Sequence, residues 1–136
     1  MIDFVRKKLI EGEYTCFISA NGEEYSSKQR GVRPLLDFLQ SGKDFSGGIA
    51  ADKTVGAGAA HLYVLLGIQA VWAKVVSEPA LLLLKENGIS VFYETLVPHI
   101  INRQGTGMCP IESTVYALKS STEAYQRILE RLEQLQ

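Results

Sequence analysis

The segment Asn102 to Glu112, NRQGTGMCPIE, holds two glycines, a thiol, a guanidinium and a carboxylate between apolar stretches. Cys109 stands where a helix is expected to begin, with Pro110 in its first turn, where the missing N–H of proline costs nothing. A helix start exposes free N–H groups and the positive end of the dipole, which favours a thiolate. That makes Cys109 a candidate nucleophile and Glu112, or alternatively His99, a candidate base. Gly105 and Gly107 could let backbone N–H groups converge on an anion, with Arg103 as a charged partner. The structural alternative is a turn in which Cys109 caps the helix, Glu112 reaches back as in a capping box and Arg103 pairs with a surface acid.

A second cluster lies at Ala51 to Ala60, where a strand gives way to a helix. Ligands bind outside the carboxyl ends of parallel strands, so Asp52, Lys53 and Thr54 are candidate contacts, with Lys53 as the anion contact. Asp52 and Thr54 could equally serve as helix caps. Gly56, Gly58 and His61 give only two of the three glycines of a dinucleotide fingerprint, although Glu78 stands at about the distance of a ribose-binding acid. Lys28, Arg30 and Arg33 form a small basic cluster, either solvated or able to grip a phosphate. Cys16, Tyr63 and Trp72 read as core residues. His61 reads as a packed helix residue, and no His–Cys spacing resembles a zinc site.

Alternating elements must position these groups. Helices are expected at 4–10, 34–40, 55–66, 79–87, 110–118 and 124–135, with a helical turn at 97–101. Strands are expected at 14–20, 23–27, 45–51, 70–76 and 89–93. Asn21-Gly22 signals a tight hairpin between the first two strands. Repeated strand–helix–strand units then imply a mixed sheet with helices on both faces and later strands parallel and doubly buried. Tyr125, Ile128, Leu129, Leu132 and Leu135 share one face of the last helix, which docks on its own domain or serves as a contact in a homo-oligomer.

Composition excludes several classes. The 136 residues are 46% hydrophobic with a net charge of -1. That suits one globular domain spanning 1–136 and gives no reason to expect nucleic acid or membrane as partner. No apolar run approaches the ~18 residues of a membrane span. The first residues lack the pattern of a secretion signal, and two cysteines make no disulfide framework, so the expected setting is the reducing cytoplasm.

Several blocks carry a resemblance. They are Asp52-Lys53 with Val55-Gly56, then Ser77 to Leu81, and above all Leu96-Val97-Pro98, Ile100 to Arg103 and Gly105 to Pro110. On these the chain resembles a prokaryotic family, domain of unknown function 1893. The resemblance implies a three-layer α/β/α arrangement with a mixed five-stranded sheet, similar to the cytidine-deaminase-like fold. Zinc deaminases carry H-x-E at one helix start and P-C-x-x-C at the next. Here Ala80 and Leu83 stand where thiolates would be needed, and a hydrocarbon cannot replace a thiolate. The expectation is therefore a domain without metal or cofactor. It would bind a small anionic or nucleotide-like ligand through Asp52, Lys53, Thr54 and Glu78, with Arg103, Gly105 and Gly107 on a closing loop. The alternatives are a cysteine-dependent enzyme using Cys109, and a subunit-interaction module.

Overall fold

The computed structural model describes residues 1–135. The elements run α1 (Ile2–Glu11), β1 (Cys16–Ala20), β2 (Glu23–Ser27), α2 (Arg33–Gln40), β3 (Ile49–Val55), α3 (Ala57–Leu66), β4 (Ala70–Ser77), α4 (Glu78–Glu86), β5 (Ser90–Val97), α5 (Pro110–Val115) and α6 (Ser121–Gln134). The sheet order is β2-β1-β3-β4-β5. β1 pairs antiparallel with β2 and β3, while β3, β4 and β5 are mutually parallel. The β1–β2 hairpin closes at Asn21 (φ 52°) and Gly22 (φ 79°), the two positive φ values that an Asn-Gly turn supplies at least cost.

Side chains alternate across a strand, so β1, β3 and β4 each serve two cores. On one face Phe17, Ala51 and Trp72 pack against Val5 and Leu9 of α1, residues one helical turn apart. On the other face Ile18, Ala50, Val71 and Ala73 pack under α2 to α6. α3 is the central helix of that layer. Its start, Ala-Gly-Ala-Ala, is buried, and a Cβ on Gly58 would meet Ile111 Cγ2 at 2.5 Å. Small residues there let α5 and α6 come close. In α6, Ala124 and Ile128 are buried, with Tyr125, Leu129 and Leu132 packed beside them. Leu135 does not join that stripe and is 51% exposed. No helix among the described residues is long and apolar enough to cross a membrane.

Three expectations need correction. The segment from Phe45 is a turn, and β3 starts only at Ile49. Asp44 accepts the Ser46 N–H at 2.9 Å and Gly47 has φ +73°, which fixes that turn. β3 then continues to Val55, so Asp52, Lys53 and Thr54 lie within the strand and Gly56 is the N-cap of α3. The expected helical turn at 97–101 is instead a strand end followed by a bend, because β4 pairs with β5 as far as Val97. Finally, β5 is an edge strand and is not doubly buried: Phe92, Tyr93 and Leu96 are 40–49% exposed. α1 packs against β1, β3 and β4.

Candidate functional site

The middle of β3 delivers Asp52 to the helix-covered face. Strand alternation aims its carboxylate at α3, and the residue is only 7% exposed. The Tyr63 hydroxyl donates to Oδ2 at 2.7 Å and the Thr54 N–H donates to Oδ1 at 3.2 Å. Tyr63 also lies 3.4 Å from the Cys16 thiol, which comes from β1. Burial raises the Asp52 carboxyl to about 7, and the hydrogen bond from Tyr63 only partly offsets it. Burial likewise pushes the Cys16 thiol and the Tyr63 phenol upward, so both stay protonated at neutral pH. The sequence treated Cys16 and Tyr63 as packing residues. They are that, and they also form the polar support beneath Asp52.

Glu112 holds the neighbouring corner together. It lies in α5 and is 1% exposed. Its Oε1 accepts the Ala57 N–H at the start of α3, at 2.5 Å, and the Ser77 hydroxyl at 3.0 Å. Its Oε2 accepts the Ile100 N–H. Ser77 meanwhile caps α4 by accepting the Ala80 N–H at 3.3 Å. One carboxylate thus joins the starts of α3 and α4 to the segment that follows β5. Gly56 is required beside it: an added Cβ would lie 2.8 Å from Ile100 Cγ1 and 3.2 Å from Glu112 Oε1.

Between these two acids opens a crevice of about 400 Å³. Asp52 and Cys16 reach it from the sheet, and Glu112 and Cys109 from α5 and its cap. Val32, Pro34, Ile100 and Ile111 supply apolar walls, and Arg30 and Arg103 border it. Both arginines are exposed, so they stand on the rim, and Asp52 belongs to the floor. A few polar groups on an apolar surface of this size suit a small organic ligand.

The structure gathers only some of the residues expected from sequence. Asp52, Thr54, Arg103, Cys109 and Glu112 all border the crevice. Lys53 touches its edge, but alternation sends that side chain to the α1 face, where it borders a second cleft with Trp72, Lys74 and Glu94. Glu78, the first residue of α4, is exposed and does not line the crevice. Gly105 and Gly107 sit in an exposed turn, closed by the Asn102 side chain accepting the Thr106 N–H at 3.0 Å and by the Ile101–Met108 bridge. Of the basic cluster, Arg30 arrives at the rim. The signal for it was present in the sequence, but the fold of the β2–α2 loop was not.

Cys109 is half-buried at the crevice. It is the α5 N-cap, its side chain makes no capping bond, and α5 spans only six residues. Among the described residues no hydrogen bond joins its thiol to Glu112 or His99. His99 packs edge-on against Tyr116 at 5.1 Å and has its Nδ1 3.9 Å from Glu112 Oε2. His61 is buried against Ser121 at 2.9 Å, beneath α6 and away from the crevice.

Comparison with curated proteins finds no match. Among solved structures the chain is similar to a DUF1893 family protein, TM1506, from Thermotoga maritima. The two share 26% sequence identity over 92% of this chain and 85% of that one, with a TM-score of 0.84. The model for a domain of unknown function, DUF1893, matches residues 4–132, a span that contains both acids, both arginines and Cys109. The chain therefore belongs to the DUF1893 family.

Proposed function

We propose that this domain binds a small anionic or nucleotide-like molecule in the crevice between β3, the β2–α2 loop and the segment leading into α5. The observation that carries this reading is the pairing of Arg30 and Arg103 on the rim of an apolar-walled cavity. Guanidinium groups bind carboxylate and phosphate with paired N–H donors, and apolar walls exclude competing water. Arg103 and Arg30 take the anion-binding role that the sequence suggested for Lys53.

The element order also supports kinship with cytidine-deaminase-like folds. In zinc deaminases two helix starts carry the metal-binding motifs. The corresponding starts here, those of α3 and α4, are joined by the Glu112 carboxylate. Ala80 and Leu83 are buried hydrocarbon and offer no lone pair. Among the described residues no three His, Cys, Asp or Glu side chains are grouped to hold a metal ion. The donor set does not fit zinc.

Thermal unfolding against a panel of phosphorylated and carboxylated metabolites tests the binding reading. A ligand at ~100 times its Kd stabilises by about 2.7 kcal/mol, a shift of several degrees. Arg103→Ala and Arg30→Ala should each reduce that shift while leaving the ligand-free melting temperature unchanged. A panel with no stabilising member overturns the reading.

A further inference from the structure

Asp52 is a buried acid without a counter-charge. Both donors that reach it, the Tyr63 hydroxyl and the Thr54 N–H, are neutral. A carboxylate offers about four lone-pair sites, so these two leave part of it unsatisfied. Among the described residues no Lys, Arg or His forms an ion pair with it. Burying a carboxylate without a cation is costly, and proteins rarely keep one unless the charge has a use. Asp52 lines the floor of the crevice, and the only arginines lining the crevice stand on its rim. The absent cation is therefore best supplied from inside the cavity.

We propose that the crevice takes a bifunctional ligand, with an ammonium or other cationic N–H group held by Asp52 and an oxyanion held by Arg30 and Arg103. This rests on the reading of the crevice as a ligand site and names the class of molecule it takes. Charge order decides the orientation. The cationic end enters first and loses most of its water, and Asp52 replaces that water with a charge-assisted hydrogen bond. The oxyanion stays at the partly solvated mouth. The buried Tyr63 hydroxyl fixes the Asp52 carboxylate through Oδ2.

The experiment uses matched probes that differ only in the amine. ω-Aminoalkyl phosphates and ω-amino acids of two to six carbons are compared by calorimetry with the alkyl phosphates and carboxylic acids of the same lengths. In the wild-type chain the amine should tighten binding by about tenfold or more at the length that spans the cavity. Asp52→Asn should bring that ratio close to one while binding of the amine-free probes is kept. Arg103→Ala should weaken both members of each pair together. A ratio of one at every length in the wild-type chain overturns the inference and leaves the anion site standing. If no probe of any series binds, the ligand-site reading falls and this inference with it. Because the wild-type ratio is decisive alone, a poorly folded Asp52→Asn variant does not rescue the proposal.

Discussion

The two buried acids that flank the crevice are nearly equal in exposure and opposite in circumstance. Glu112 receives three donors from three parts of the chain, so its charge is matched where it stands. Asp52 receives a hydroxyl and a backbone N–H, and burial raises it to about 7. A buried carboxylate with three donors from three parts of the chain behaves as a fastener. One with two donors, facing a cavity, holds its charge at a cost and, on the reading proposed above, is available to a ligand. Burial alone does not separate these roles. The count and charge of the donors do.

Removing each acid is the most direct way to break this contrast. Glu112→Ala should have the largest effect, about 3–5 kcal/mol of stability lost in urea unfolding, because it strands the buried Ala57 N–H and leaves the Ser77 hydroxyl and the partly buried Ile100 N–H without their acceptor. A loss under about 1 kcal/mol would remove the distinction between the two sites.

Asp52→Asn should act in the opposite direction. An unfolded aspartate titrates near 3.9, and the folded value of about 7 lies above it. The contribution of Asp52 to stability is then complete below about pH 4 and is lost as pH rises through about 7. The variant should lack that decline and be more stable than the parent at pH 8, by roughly 2–4 kcal/mol. Urea titrations at pH 5 and pH 8 measure it, and an identical pH slope in both proteins would contradict the assignment.

The smallest effect sharpens the Glu112 corner. Ser77→Ala removes the α4 cap and one of the three donors, and should cost about 1–2 kcal/mol without altering the pH slope. If it cost nothing, the tie between α4 and Glu112 would be geometric only.

Much of the architecture was legible because its signals are local. Asn21-Gly22 prescribed a hairpin, and strand–helix alternation implied the mixed sheet. Boundaries failed where pairing with a neighbouring strand decided them. β3 and β5 both run past their expected ends because β4 offers hydrogen-bonding partners there. The exposure of β5 was hidden for a related reason: an apolar strand reads the same whether or not a helix covers it. At the site, single residues were legible by type and illegible by partner. Glu112 was noticed for its carboxylate, yet its role comes from Ala57 and Ser77, which lie 55 and 35 residues away. Lys53 was placed correctly along the chain, but β3 runs four residues past its expected end at Ala51, and alternation within the strand turns the Lys53 side chain toward α1 while the residue still borders the crevice. Tyr63 was read as packing because nothing local in α3 announces a partner in β3.

The separation of the sheet's two faces also has an optical consequence. The only tryptophan, Trp72, lies under α1 beside Val5 and Leu9 and is 7% exposed. It belongs to the smaller core and faces Phe92 across the β4–β5 pair. Its emission wavelength therefore reports the docking of α1, and the crevice on the opposite face has no tryptophan of its own. Fluorescence and far-ultraviolet circular dichroism would view different parts of this molecule. Their agreement or divergence during unfolding is a direct readout of whether the two layers are lost together.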